Sequence, residues 1–362
     1  MRRTLFFLVT VLASAAPIAA QDPHDPDPRI VIREHVRDVI RALPAITEKS
    51  VAVHAYQGRN RGPEQTERFS RKVKLGRDGR FSVGNIAGDI KVTTASGDEV
   101  SIEAVKRTTG DREELAHVQI VVDERPGRVE VRTDHDQNRR DRDRRGDHVS
   151  VDYTIAMPAT ASLDMHSVSG SLKVTGLRGA VRAETISGDV TAADSPKVEL
   201  AKSVSGNVTL SGVSTDGDLA AGSISGTIFA KTVKAHGLDL NTISGNVKVT
   251  DVTCDRLAAK SVSGGVEYDG AITKGGSYDF NVHSGTVRLT LSNPAGFVLN
   301  ANSFSGSVRS DLPMTIGGDN ADRDSRGRHT MMGNRSMRAT YGDGSATVTV
   351  RTFSGDIIIA KR

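Results

Sequence analysis

A four-residue signature, (Ser/Thr)-apolar-Ser-Gly or a near variant, occurs nine times between Ser167 and Gly355. The first eight copies follow one another at intervals of 18 to 21 residues. A repeat of this length is one supersecondary unit, which cannot bury its apolar side without stacking on its neighbours. The chain is therefore predicted to be all-β: a single-chain β-solenoid with coils of about 19 residues, a short N-terminal helix and a β-rich capping region. The predicted corners of the coils are the signature glycines Gly170, Gly188, Gly206, Gly226, Gly245, Gly264, Gly285, Gly306 and Gly355.

The apolar residues alternate on both sides of each signature, and the alternation changes phase at the signature itself. In the fifth copy the inward candidates are Leu238 and Leu240 upstream and Val247 and Val249 downstream. Because strand side chains alternate with a period of two, a one-residue change of phase needs a bulge or a corner. Glycine allows such a bend, and neighbouring hydroxyls can satisfy backbone groups that it leaves unpaired. The apolar second residue, Ile243 in this copy, shares the downstream parity and is grouped with the inward positions.

The chain departs from the repeat in two places, and each departure leads to its own prediction. In the third repeat Glu199 occupies an inward position, which predicts a local irregularity. The interval between Gly306 and Gly355 is 49 residues, so residues 311–344 are predicted to be an inserted loop before the last coil. Loops of that length are more often mobile or functional than compact.

The N-terminal part of the chain divides into segments of different character. Residues 1–20 are typical of a signal peptide, with basic residues, an apolar run and small residues up to Ala20. Residues 21–68 are predicted to be a polar linker containing a short amphipathic helix at 30–43, followed by a β-rich cap at 69–160 and the solenoid repeats at 161–362. After cleavage near Ala20 the mature chain is expected to have no transmembrane segment and to be extracytoplasmic: periplasmic, secreted or at the cell surface.

The composition and the motifs predict no enzymatic chemistry, and no catalytic, cofactor-binding or metal-binding residues are assigned. Nine equivalent signature serines indicate a structural role at the corners of the coils, and none lies in a Gly-x-Ser-x-Gly nucleophile elbow. The residue after the signature glycine varies, so a regular acidic ladder for calcium is not expected. The aspartates next to His24 and His135 are interpreted as solvated charge, His283 as a core or corner histidine, and the single cysteine, Cys254, as a small apolar filler.

Charge and aromatic content also argue against a nucleic-acid partner. The chain has 48 Lys and Arg against 44 Asp and Glu, no Trp, and 4% aromatic residues. Single-stranded nucleic acids are held by a basic groove with aromatic side chains on which bases stack, and this chain offers little of either. We therefore expect no nucleic-acid partner.

Several stretches of the chain together resemble a known family. They are Phe81 to Val92 with a diverged signature ending at Gly88, Val151 to Pro158 leading into the first signature, the tandem repeats, and the closing Thr352 to Ile359. In this combination the chain resembles the putative-adhesin family of bacterial envelope proteins, a β-strand-repeat domain of unknown function. The resemblance covers roughly residues 69–362. It implies a secreted or surface-associated β-solenoid linked to the cell envelope, and it supplies no catalytic residues.

The sequence thus predicts an exported, non-enzymatic β-solenoid that acts as a cell-envelope or surface interaction scaffold of the adhesin type. Its expected partner is an envelope or surface protein or a glycan. The expected contact regions are a Ser/Thr-rich flank and the loops 132–148 and 311–344. Two alternatives stay open: a polysaccharide-active enzyme on a β-helix, and an envelope-stress component that docks on a membrane sensor through residues 30–43.

Overall fold

The computed structural model describes residues 64–135, 149–292, 294–316 and 335–362. The predicted signal peptide, the helix at 30–43 and the His24 cluster lie outside the described residues. The described residues form one 25-stranded hydrogen-bonded sheet that winds into a solenoid, together with one short 3₁₀ helix. The prediction of an all-β solenoid is confirmed.

The strands follow one another closely along the chain. They are β1 (Gln65–Lys74), β2 (Arg80–Ala87), β3 (Ile90–Ala95), β4 (Glu99–Thr108), β5 (Val118–Arg125), β6 (Arg128–His135), β7 (Ser150–Pro158), β8 (Ser162–Ser169), β9 (Leu172–Thr175), β10 (Val181–Ser187), β11 (Val190–Ala193), β12 (Val198–Ser205), β13 (Val208–Ser214), β14 (Asp218–Ser225), β15 (Ile228–Ser244), β16 (Val247–Ser263), β17 (Val266–Gly270), β18 (Ser277–Ser284), β19 (Val287–Leu291), β20 (Phe297–Ser305), β21 (Val308–Ser310), β22 (Thr315–Ile316), β23 (Arg335–Tyr341), β24 (Ala346–Ser354) and β25 (Ile357–Lys361). The 3₁₀ helix spans Arg112–His117, between β4 and β5.

Each coil contributes one strand to an upstream face, which ends at the signature, and one to a downstream face, which starts after the signature glycine. Neighbouring coils pair in parallel, as β10 does with β8 and β11 with β9. The inward positions predicted from the alternation are buried: Leu238, Leu240, Val247 and Val249 are each at most 2% exposed. A further buried residue seven positions after the glycine, such as Val252, fills a third side of the coil. The core is therefore one continuous column of stacked apolar side chains, most of them aliphatic.

The predicted irregularity in the third repeat is present. The pairing of β10 with β12 shifts register, since Val181 pairs with Val198 but Arg182 pairs with Leu200. Glu199 is the extra residue and lies exposed, where its carboxylate forms an ion pair with Arg182 at 2.9 Å. A β-bulge thus turns the acidic side chain out of the core.

The two C-terminal coils stack in the reverse of their sequence order. Strand β24 lies between β18 and β20, since Val348 pairs in parallel with both Tyr278 and Leu299. Strand β25 likewise lies between β19 and β21. Strand β23 runs antiparallel along the other edge of β20, and β22 pairs with β23. The segment predicted as the inserted loop 311–344 therefore contains two strands, and the chain returns from it into the stack.

The N-terminal end has the same arrangement. Phe81 of β2 pairs with Val129 of β6 on one side and Leu163 of β8 on the other, although β6 follows β2 in sequence. Strand β3 lies between β7 and β9. The antiparallel strands β1, β4 and β5 cover the outside. The β-rich part starts at Gln65, four residues before the predicted boundary, and residues 132–135 of the predicted loop 132–148 belong to β6.

A second corner recurs six residues after the signature glycine. The residues there adopt left-handed backbone angles, with φ of 77° at Gly176, 62° at Gly212, 49° at Asp194, 53° at Thr232 and 52° at Asp251. A β-branched residue fits this region poorly because its side chain crowds the following carbonyl group. Thr232 is therefore a strained member of the column.

Replacing Thr232 by glycine is expected to raise the free energy of unfolding by about 0.5–1 kcal/mol, because about 1–2 kcal/mol of strain is relieved against a smaller entropic cost. Thr347, an exposed residue in the interior of β24, is the matched control. Thr347→Gly should lower the free energy of unfolding by about 1 kcal/mol. Urea denaturation measures both, and destabilisation by Thr232→Gly would contradict the assignment of strain.

Candidate functional site

The first residue of the signature points into the solenoid, and in six of the nine copies its hydroxyl donates a hydrogen bond to the carbonyl oxygen of a glycine in the adjacent coil. In the seventh copy this residue is Val282, and the hydroxyls of Ser167 and Thr352 are buried without a hydrogen-bond partner among the described residues. Ser203 Oγ donates to the carbonyl oxygen of Gly188 at 2.8 Å, and Ser223 Oγ donates to that of Gly206 at 2.9 Å. The same bond recurs for Thr185, Thr242, Ser261 and Ser303. The hydroxyls thus satisfy carbonyl groups that the corner leaves without a strand partner.

The signature glycines lie against one another along the stack. A Cβ atom added at Gly188 would overlap the carbonyl oxygen of Gly170, and one added at Gly206 would overlap that of Gly188. The φ angles of Gly188 and Gly206 are 139° and 155°, in a region that L side chains rarely adopt. Each of the nine predicted corner glycines meets the carbonyl of the neighbouring coil in this way, in the stacking order that places Gly355 between Gly285 and Gly306.

The buried hydroxyl should carry measurable stability. Ser203→Ala removes a buried hydrogen bond and is expected to lower the free energy of unfolding by about 1 kcal/mol. Ser205, the exposed serine of the same signature, is the matched control, and Ser205→Ala should change it by less than about 0.5 kcal/mol. Denaturant titration of the two variants tests the difference. Equal effects would show that the inward hydroxyl has no special role.

The second residue of the signature points outward, so its grouping with the inward positions was wrong. The alternation of inward and outward side chains shifts by one residue at the corner, after the buried Ser or Thr. The next side chain therefore points to solvent. Nine signatures and the diverged first coil together align ten such side chains in one column, which we call the apolar ladder. The nine hydrophobic members are between 40% and 58% exposed. In stacking order the ladder is Ile86, Val168, Ile186, Val204, Ile224, Ile243, Val262, His283, Phe353 and Phe304.

Three stacked rings form one end of the ladder. The ring of Phe353 lies parallel to that of His283, with centroids 4.9 Å apart, and parallel to that of Phe304 at 4.8 Å. The reversed order of the last two coils produces this stack, because it inserts Phe353 between the other two rings. His283 is exposed, so it is a corner histidine and not a core residue. Both faces of the Phe353 ring are covered, and its edge faces solvent.

A shallow groove of about 420 Å³ runs beside the middle of the ladder. One side is formed by Ile186, Val204 and Ile224. The other is formed by the outward residues two positions earlier in each strand, which we call the polar row. Its members at the groove are His166, Glu184, Lys202, Gly222 and Asn241.

Gly222 leaves a gap in the polar row. A Cβ atom at this position would lie 3.6 Å from the carbonyl oxygen of Asn241 and from Cγ of Lys202, which is ordinary van der Waals contact. The backbone would therefore accept a larger residue, and the fold does not require the gap.

On its other side the ladder is flanked by the third residue of the signature, which is serine in all nine copies. Beyond these serines, polar side chains bind the backbone of the next coil. Oδ1 of Asp189 accepts a hydrogen bond from the Asn207 amide at 2.7 Å, and Oδ1 of Asn207 accepts one from the Thr227 amide at 2.9 Å. The described residues contain no group of three His, Cys, Asp or Glu side chains that could hold a metal. Asp136, next to His135, lies outside the described residues.

Cys254 is buried next to the aromatic residues of the core. It is 2% exposed, and its carbonyl oxygen accepts a hydrogen bond from the Tyr278 hydroxyl at 2.9 Å. Burial, with a smaller contribution from Asp255, raises the pKa of the Cys254 thiol to about 12. The reactive species of cysteine is the thiolate, so this thiol is chemically inert in the folded protein.

At pH 8 Cys254 should react with iodoacetamide more than about 100-fold more slowly in the folded protein than in urea. Because its folded pKa lies above the unfolded value of about 8.5, its contribution to stability is present below that pH and is lost as the pH rises toward about 12. Cys254→Ala should reduce the loss of stability between about pH 8.5 and 9.5, before most tyrosine hydroxyls of the unfolded chain ionise near pH 10. Rapid alkylation of the folded protein would contradict the buried position.

Among the residues that the structure describes, no helix is long and apolar enough to span a membrane.

Comparison with known proteins gives one family and several solved structures. The family model described as Toastrack DUF4097 matches residues 118–360. No curated protein matches the chain. A putative cell adhesion protein from Clostridium sporogenes is 11% identical with a TM-score of 0.24, and the match covers 82% of this chain and 100% of that one.

Two further solved structures are similar at the same low level. A putative adhesin from Bacteroides fragilis is 11% identical with a TM-score of 0.33, covering 82% of this chain and 97% of that one. A putative lipid binding protein from Parabacteroides distasonis is 13% identical with a TM-score of 0.41, covering 63% and 91%.

Proposed function

The chain belongs to the Toastrack DUF4097 family, and from this premise we propose that it is a non-enzymatic, extracytoplasmic interaction scaffold of the cell envelope or cell surface. The observation that carries the proposal is the apolar ladder. Ten side chains at about 4.8 Å per coil make a row roughly 43 Å long and, at about 10 Å width, roughly 400 Å² of surface. Single exposed apolar residues need no explanation, but a continuous row of this size is typical of a contact surface.

The ladder favours a protein partner over a glycan. Most of its members are branched aliphatic side chains, which pack well against an apolar protein surface. Sugar rings stack on open aromatic faces, but aromatic rings occur only at one end of the ladder, and the middle ring, Phe353, is covered by His283 on one face and Phe304 on the other. We therefore assign the ladder to a protein with an apolar face.

The arrangement of the charged groups supports a scaffold more than an enzyme. An active site needs one constellation that differs from its surroundings, whereas every coil presents nearly the same corner. One cluster of charged side chains beside the groove is paired internally: Asp164 contacts Arg80 at 3.3 Å and His166 at 2.8 Å. The extracytoplasmic location in the proposal rests on the leader-like residues 1–20.

In-cell photo-crosslinking tests the proposal. A photo-crosslinking phenylalanine analogue in place of Ile224 should give a protein adduct in the extracytoplasmic fraction. Phe229 is the matched control, because it is 38% exposed but lies on the downstream face, away from the ladder. The same analogue at Phe229 should give at least about tenfold less adduct if the ladder is the contact surface.

Three outcomes would contradict the proposal. Equal yields of adduct from the analogue at Ile224 and at Phe229 would show that the ladder is not the contact surface. An adduct that glycan hydrolases remove and proteases leave intact would show a glycan partner. Reproducible cleavage of uronate-containing or neutral polysaccharides by the purified chain, abolished by one carboxylate substitution, would show an enzyme.

A further inference from the structure

The spacing of the apolar ladder restricts what can cover it. Its side chains repeat at the distance between neighbouring strands, about 4.8 Å, over the whole stack. A surface that matches it residue for residue must have the same spacing, and a second copy of this chain has it by construction. We infer that the protein partner of the ladder is a second copy of this chain, packed antiparallel about a two-fold axis through Ile224. This inference rests on the proposed function and names its partner.

The sizes of the ladder residues fit this axis. In an antiparallel pair with Ile224 facing Ile224, Val204 of each copy faces Ile243 of the other, and Ile186 faces Val262. Each of these valines then meets an isoleucine, so the gap between the copies stays even over the five central coils. All five side chains are exposed by 41% to 53% in the single chain. Further out, Val168 faces His283 and Ile86 faces Phe353.

The charges of the polar row fit the same axis. Glu184 of one copy faces Lys260 of the other, and both lie outward on the upstream face. An axis one half-step further along, between Ile224 and Ile243, would instead place Lys202 opposite Lys260. Like charges opposite each other disfavour that register, and the Glu–Lys pairs favour the axis through Ile224.

Gly222 allows the two copies to approach each other closely at the two-fold axis. It is the member of the polar row beside Ile224, so in the antiparallel pair Gly222 of one copy faces Gly222 of the other. At the axis itself neither copy then has a polar-row side chain between the two ladders. The fold itself would accept a side chain at Gly222, so contact with another molecule explains the glycine where the fold does not.

The size of the contact is that of a modest dimer interface. With the axis at Ile224, nine coils overlap, which is about 38 Å at 4.8 Å per coil. The strip from Ala220 to Ser225 is about 17 Å wide at 3.3 Å per residue. The strip is therefore roughly 650 Å² per copy, close to the roughly 800 Å² per partner of a standard interface. The two-fold arrangement is also the commonest symmetry of homo-oligomers.

Sedimentation velocity of the purified full chain tests the dimer. The chain is expected to show a concentration-dependent dimer, and Gly222→Arg should weaken it at least about tenfold because two cations would then face each other at the axis. Phe229→Arg, on the downstream face, should leave the dimer unchanged. Circular dichroism establishes that both variants are folded. A chain that stays monomeric, or a dimer that Gly222→Arg does not weaken, overturns the inference.

Charge exchange tests the register. Glu184→Lys should weaken the dimer about tenfold by placing two lysines opposite each other, and the double variant Glu184→Lys with Lys260→Glu should restore it. Failure of the double variant to restore the dimer overturns the proposed register.

Thiol crosslinking tests the axis, since the buried Cys254 does not compete. With a short bis-maleimide, Ile224→Cys should crosslink to itself. Ile186→Cys should not, because its two copies would lie about 19 Å apart along the ladder. A mixture of Ile186→Cys and Val262→Cys chains should crosslink. Self-crosslinking of Ile186→Cys as efficient as that of Ile224→Cys overturns the antiparallel arrangement.

Different results would contradict the dimer and the proposed function. If the chain is monomeric but the photo-crosslinker at Ile224 captures a different protein, the dimer is overturned and the scaffold function stands. If the photo-crosslinker at Ile224 gives no more adduct than the one at Phe229, the proposed function fails as well.

Discussion

The contact between stacked glycine corners is the constraint on which the rest of the structure depends. At each corner the carbonyl group of one glycine lies where the next glycine would carry a side chain, as between Gly170 and Gly188. The amide of Gly188 donates to the carbonyl oxygen of Ser205 at 3.0 Å, and Ser203 donates to the Gly188 carbonyl from inside. These bonds fix neighbouring coils at the point where both faces meet. The strands on either side can then pair only in register, which aligns each core position with its equivalents.

The same corner explains why the ladder exists, but not why it is apolar. Once the Ser or Thr of the signature is buried, the next residue must point to solvent, whatever its type. A strand position of this kind is served as well by threonine, which has the same β-branched shape as valine. Ile186, Val204, Ile224 and Ile243 are nevertheless aliphatic and about half exposed. Folding therefore accounts for the position of these side chains, and the proposed contact with another molecule would account for their chemistry.

The length of the repeat, the alternation of inward and outward residues and the presence of a corner at each signature could be predicted from the sequence, because each depends only on residues that are close together in the chain. Leu238, Leu240, Val247 and Val249 could be placed in the core from the alternation alone. Ile243 could not, because counting in steps of two does not show which residue of a four-residue signature absorbs the change of phase. The repeat period also could not show that Val348 pairs between Tyr278 and Leu299. That choice depends on pairing between distant segments whose local sequences are equivalent, and the ring stack of Phe353 with His283 and Phe304 follows from it.

The reversed coils at the two ends bear on which surface is left for contact. A solenoid that ended on a parallel coil would expose an open strand edge, which pairs readily with other chains. In the described part of this chain, antiparallel strands cover both faces at the N-terminal end and the upstream face at the C-terminal end, where β21 pairs only in parallel with β25. The outer strand β1 carries Arg68, Arg71, Lys72 and Lys74, residues that discourage edge pairing. The N-terminal end in particular is thus protected against edge-to-edge association. The side of the stack that carries the apolar ladder has no such charged residues in the ladder itself, and it presents an aliphatic side chain at every coil from Val168 to Val262. The distribution of charge and apolar surface therefore favours association side by side over association end to end.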